Sequence, residues 1–177
     1  MCGPCGCATS DARGRASIDA VDGQDTLLTI SRAAFAEGVV TIDSDRRGAV
    51  SLPLVPEVEL ARVAASAGLV LDPELGHVVL DVIGSSTSMP VNLTGGPPRD
   101  TEPVRVYTDG GGLADPRRAS LEQDGRVWFF DVAPGSYVVD TDRACGVELG
   151  GDQSGRAVVD VVAGAVSFVR RACTEGP

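Results

Sequence analysis

The sequence predicts a mainly β protein: an antiparallel β-sandwich with one helix and additional N-terminal strands. Three observations predict it. Gly125 to Asp140 read GRVWFFDVAPGSYVVD, a strand, a Pro-Gly turn and a second strand, with apolar positions on both sides. Strand-like runs recur roughly every 8–12 residues with turn chemistry between them, the pattern of a sandwich or barrel. The composition agrees: 22 Gly and 11 Pro punctuate Val-rich runs, and aromatics are only 4%, so the core must rest on Val, Leu, Ile and Ala.

Taken in order, residues 1–15 read as a Cys-containing flexible tail, rich in Gly and Ala and without periodicity. Strands are expected at 16–21, 25–30, 39–42 and 49–54, broken by Asp22-Gly23, Ala36-Glu37-Gly38 and Asp45-Arg46-Arg47-Gly48. Residues 31–37 suit one or two helical turns. The helix spans 56–67. Pro56 fits its first position, Glu57 and Glu59 sit at the positive end of the dipole, and Gly68 stops it. Leu60, Val63, Ala64 and Ala67 make one apolar stripe at helical spacing. A second set of strands follows at 76–82, 91–93, 104–108, 119–122, 125–132, 136–140, 156–162 and 165–170, with 94–103 as a Gly- and Pro-rich loop. The domain plan is therefore a tail (1–15), an N-terminal β segment with a connecting helix (16–72), and a sandwich (76–174). The N-terminal strands form a small sandwich of their own or dock as extra strands.

Length and charge bound the function. A chain of 177 residues makes one domain or two small ones. It buries roughly 70% of its unfolded surface, enough for a core without a metal. The net charge is −10, and every basic residue is Arg. An acidic chain repels phosphate backbones and anionic lipid, so nucleic acid and polybasic membrane docking are not expected. No apolar run approaches the roughly 18 residues of a membrane span. No basic region followed by an apolar stretch opens the chain, and a chain trimmed of its signal would look the same.

Residues 125–139 resemble the carboxypeptidase regulatory-like domains, which are prealbumin-like sandwiches. Gly125 stands at the turn, Val127 and Phe129 alternate, and Val132-Ala133-Pro134-Gly135 replaces the usual Pro-Pro-Gly corner, with Tyr137 and Val139 in phase after it. Gly76 to Ile83 looks like the opening strand of such a domain. In place of the usual Pro-Leu-x-Gly-Ala turn stands Gly84-Ser85-Ser86-Thr87-Ser88-Met89-Pro90. The resemblance covers about half of the chain. It implies a Val127/Phe129 face on the sandwich core and an accessory role, since fold does not carry function. The downstream stretch also resembles secreted bacterial proteins with two cysteines flanking a strand, places held here by Cys145 and Cys173. A disulfide between them ties strand ends, closes a loop of roughly 28 residues worth on the order of 3 kcal/mol, and implies an oxidising compartment; the alternative is two buried thiols.

Several residues invite chemistry. Cys2-Gly3-Pro4-Cys5 reproduces the dithiol of thioredoxins, but no strand precedes it and no helix follows. Zinc on Cys2, Cys5 and Cys7 wants a fourth ligand. Cys2 is a candidate lipid anchor, as the first residue of a trimmed lipoprotein, although no lipobox is present. The remaining reading is a tail with incidental or mutually bridged thiols. His77, the one histidine, has no second His for a metal and no Gly-x-Ser-x-Gly partner, so it reads as structural. Asp43-Ser44-Asp45-Arg46-Arg47-Gly48 begins like an EF-hand loop, yet Arg47 occupies a ligand position and Leu54 the twelfth, so it reads as a solvated turn, like Asp140-Thr141-Asp142. Carboxylates distant in sequence meeting as a glycosidase pair is a further reading. Trp128 and Phe130 point away from Val127 and Phe129. On an open face they form a candidate sugar-stacking pair; covered by the helix or the N-terminal strands, they belong to a core.

The expected function is a non-enzymatic accessory or structural module, adhesive or scaffolding, secreted or in the cell envelope. It has no cofactor or metal, and its partner is a cell-surface polysaccharide or another envelope protein. The alternative is a carbohydrate-binding module using Trp128 and Phe130; a redox protein using Cys2 and Cys5 is a third.

Overall fold

The computed structural model describes residues 1–3, 6–18, 24–43, 49–84, 89–98, 102–108, 112–115, 118–121, 125–141, 145–150 and 156–173. Their strands are β1 (Cys2–Gly3), β2 (Gly6–Cys7), β3 (Thr26–Ile30), β4 (Gly38–Ile42), β5 (Gly76–Ile83), β6 (Val91–Gly95), β7 (Val104–Tyr107), β8 (Gly125–Val132), β9 (Gly135–Thr141), β10 (Gly146–Leu149), β11 (Val158–Val161) and β12 (Val166–Ala172); the single helix among them is α1 (Glu57–Ser66).

The nine-stranded sheet runs β2-β1-β3-β4-β12-β5-β8-β7, with β10 also paired to β12. A three-stranded sheet, β11-β9-β6, faces it. β5 lies along the whole of β12, with His77–Ile83 opposite Val166–Ala172. β4 and β10 therefore share the other edge of β12, β4 opposite Val166–Ser167 and β10 opposite Arg170–Ala172. β12 is parallel to both β4 and β5. The antiparallel expectation thus holds for the hairpins and fails at the centre of the sheet, where strands distant in sequence meet.

Alternation along each strand builds two cores. Between the sheets lie Val78, Leu80 and Val82 of β5, Val127 and Phe129 of β8, and Tyr137, Val139, Val159 and Val161 of the facing sheet. On the opposite side lie Val79, Trp128, Phe130, Val166 and Phe168, covered by Leu60, Val63 and Ala64 of α1 and by Leu28 and Val40. Strands buried on both faces read as continuous apolar runs, which is why VVL and VWFF stand out in the sequence. The result is three layers: helix and loops, large sheet, small sheet.

The helix forms as its signals predict. Pro56 precedes it as N-cap, and Glu57 and Glu59 occupy the first turn. Gly68 has φ +74, its N–H donates to Ala65 O at 3.0 Å, and Leu69 N–H donates to Ala64 O at 2.9 Å. That is a Schellman stop, which a left-handed glycine permits.

Five expectations are corrected. Residues 49–54 form no strand; Val50, Leu52 and Leu54 pack on the helix-side core as irregular chain. Residues 31–37 make a turn, with Ala34 at φ 66 and Phe35 N–H on Arg32 O, instead of helical turns. In the strand expected at 119–122, residues 119–121 form none; Leu121 makes only a bridge to Met89, and residue 122 lies outside the described residues. Residues 16–18 are not extended into a strand; 19–21 lie outside the described residues. Within the expected tail, β1 and β2 pair, and β1 joins β3. The N-terminal strands dock: β3 and β4 extend the large sheet through β12.

Candidate functional site

The candidate chemistry falls at three places. The first is the aromatic row on the helix side of the large sheet. Adjacent registers put His77 of β5 beside Phe130 of β8, with ring centroids 5.5 Å apart, and Phe130 beside Trp128 at 5.6 Å, stacked. Trp128 and Phe130 are both 0% exposed. The stacking platform expected of an open face is therefore corrected: α1 and the N-terminal strands cover both rings, so neither presents a face to a sugar. The Trp128 indole Nε1 has no hydrogen-bond partner among the described residues. His77 is 3% exposed, and its Nδ1 likewise has no partner there. Burial pushes the His77 imidazole below its ordinary pKa, and the nearby Asp131 carboxylate partly opposes this. The imidazole is thus enclosed, with the Phe130 ring against it.

The row ends in ion pairs. Arg126 stands over Trp128, its guanidinium carbon 5.8 Å from the ring centroid. Its Nε donates to Asp81 at 2.7 Å and its Nη1 to Glu59 of α1 at 3.0 Å. Arg170 reaches the other Asp81 oxygen at 3.4 Å. β12, β5 and β8 are neighbours in register here, so the charges alternate across the sheet and end on the helix. These half-buried groups clamp α1 to the sheet, and their geometry leaves Asp81 between two cations instead of facing a second carboxylate.

The second place is the end of the sandwich at Cys145 and Cys173, which are bonded to each other across a sequence separation of 28. Both sulfurs lie in the inter-sheet core. Arg171 of β12 reaches across to the small sheet. Its Nη1 donates to Val139 O at 3.2 Å and Thr141 Oγ1 at 2.9 Å, and its Nη2 donates to Cys145 O at 2.9 Å. Burial pushes the Arg171 guanidinium below its ordinary pKa, with Asp140 opposing. At the far edge, Arg105 Nη1 donates to Val91 O at 2.7 Å and Asn92 Oδ1 at 2.9 Å, and the Tyr107 hydroxyl accepts from Val91 N–H at 3.2 Å. Polar side chains thus rivet the two sheets at both ends. At the Pro-Gly corner the Tyr137 hydroxyl donates to Ala133 O at 3.0 Å. Gly96, at φ +78, lies under that ring, and a Cβ there would overlap it.

The third place is the N-terminal hairpin. Cys2 is bonded to Cys7, not to Cys5, which lies outside the described residues. A sulfur in a disulfide carries no thioether, so in this form Cys2 is no lipid anchor. Asp43 is the first member of the EF-hand-like run; 44–48 lie outside the described residues, as does Asp142. Among the described residues no group of three His, Cys, Asp or Glu side chains gathers as a metal cluster.

Sequence reasoning missed the Glu59–Arg126–Asp81–Arg170 chain and the Arg171 rivet. Arg126, Asp81 and Arg170 interrupt apolar strands at positions facing the helix, a signal readable only once the neighbours are known. No protein-family model, no curated protein and no solved structure matches this chain.

Proposed function

We propose that this protein is a non-enzymatic structural module of the extracellular space or cell envelope, serving as a scaffold or adhesive unit. The observation that carries the reading is the Cys145–Cys173 bridge built into the packed sandwich beside Arg171. Structural disulfides of this kind persist in oxidising compartments. No helix among the described residues is long and apolar enough to cross a membrane. The Pro-Gly corner between β8 and β9, with Tyr137 bonded back to Ala133, supports membership of the carboxypeptidase regulatory-like sandwiches. Burial of Trp128 and Phe130 leaves a polysaccharide without the stacking pair that would have received it.

The test is the thiol state of the protein in its native cells, trapped by alkylation at harvest. The expected result is bridged Cys145 and Cys173 in protein from the envelope or medium. Alkylated Cys145 and Cys173 in protein from the cytosol would remove the reading.

A further inference from the structure

The two disulfides differ in access. Cys145 and Cys173 are 6% and 8% exposed within a core, whereas Cys2 and Cys7 both lie at the surface. Exchange requires a thiolate to reach a sulfur, so access decides which bridge reacts. The exposed bridge also sits where breaking it alters the sheet. β1 meets β3 through one register pair, Cys2 opposite Thr29. It meets β2 through two, Cys2 opposite Cys7 and Gly3 opposite Gly6. The other edge of β3 is filled by β4 along Thr26–Ile30. The bridged hairpin thus meets the outer edge of β3 at Thr29. Elsewhere among the described residues the Met1 side chain packs against the helix-side core, and Met1 and Ala8 bond to each other within the hairpin, Ala8 N–H on Met1 O at 2.8 Å and the N-terminal ammonium on Ala8 O at 3.2 Å.

We propose that Cys2–Cys7 is a thiol-exchange site for low-molecular-weight thiols, and that its reduction lifts the β1–β2 hairpin and opens the edge of β3. A thiolate attacks one bridge sulfur, forming a mixed disulfide as the Cys2–Cys7 bond breaks and the other cysteine leaves as thiolate. A second thiol then attacks the mixed disulfide. The external disulfide departs, and two protein thiols remain. Two electrons pass from two external thiols to the bridge. An edge strand freed in this way presents unpaired N–H and C=O groups.

The test incubates the folded, oxidised protein with reduced glutathione, then alkylates it and maps peptides by mass spectrometry, with amide hydrogen exchange in parallel. The expected result is two additional labels in the N-terminal peptide while Cys145 and Cys173 stay bridged. Exchange over 26–30 rises roughly tenfold or more, and exchange over 76–83 does not change. The Cys2→Ser, Cys7→Ser variant shows the same fast exchange without glutathione. Reduction of Cys145–Cys173 first, or of both bridges together, overturns the exchange site. Unchanged exchange over 26–30 in both the reduced protein and the variant overturns the opening of the edge.

Discussion

Replacing Cys145 and Cys173 together by Ala removes a covalent tie between β10 and β12 at the end of the inter-sheet core. The bridge closes a loop of 28 residues in sequence. Chain-entropy arithmetic for that loop gives about 3.6 kcal/mol. Both sulfurs are nearly enclosed, so their loss also leaves a void; two sulfur atoms of missing volume add about 1 kcal/mol. The expected total is about 4–5 kcal/mol, or a drop in Tm of very roughly 10–15 °C for a chain of this size. The Cys2→Ser, Cys7→Ser pair is the internal control. Its sequence separation is 5, which gives about 2 kcal/mol at most. It also lies on a hairpin that opens without unfolding the rest. Urea denaturation of both variants, followed by far-UV circular dichroism with the untouched bridge kept oxidised, measures the two costs. A loss below about 1.5 kcal/mol for the Cys145/Cys173 pair would refute the reasoning. So would equal losses for the two pairs, because loop length and burial both rank them the same way.

The single tryptophan is enclosed, so native fluorescence should be blue-shifted and almost unquenched by acrylamide; Trp128→Ala should cost about 3–5 kcal/mol in a chemical melt. Red-shifted, readily quenched emission would mean that α1 does not cover it. For His77, the folded pKa lies below the unfolded value, so the unfolded chain binds the proton more readily. Its contribution is full above about pH 6.5 and declines by up to about 1.4 kcal/mol per pH unit as pH falls below that, until the folded pKa is reached. His77→Gln should flatten that part of the stability–pH curve, and an unchanged slope would place the acid sensitivity elsewhere. Gly96→Ala forces a methyl under the Tyr137 ring at a left-handed φ, and should cost about 1–3 kcal/mol by thermal melt. No measurable loss would mean the corner is looser than its hydrogen bond implies.

The parts of the fold legible in the sequence are those fixed by local pattern. β5, β8 and β9 are long apolar runs bounded by Gly and Pro, and α1 carries a start, a stripe and a stop within a dozen residues. Alternation alone placed Trp128 and Phe130 opposite Val127 and Phe129. What covers them depends on β3, β4 and α1, which no local pattern brings there. The run 49–54 looks like a strand because its apolar residues alternate, yet Val50, Leu52 and Leu54 are partly buried as irregular chain against the helix-side core. β10 is four residues at a bulged register, too short to stand out. Cys2, Cys5 and Cys7 offer three pairings that spacing does not rank. The pairing of Cys145 with Cys173 was readable because each stands at the end of a strand.

β12 has a consequence for how the molecule is made. It is the last described strand in the chain, yet it sits between β4 and β5 and runs parallel to both. Until it arrives, β4 has no partner beyond β3 and β5 has none beyond β8, so the N-terminal and C-terminal portions of the large sheet have no common ladder. Closure waits on a contact between residues about 130 positions apart for β4 and about 90 for β5, the kind of non-local pairing that folds slowly. During synthesis the growing chain therefore carries two open sheet edges until β12 has been made. A product stopped at Gly164 would keep both of them, exposed to other chains and marked for removal by the same surfaces that β12 would have sealed.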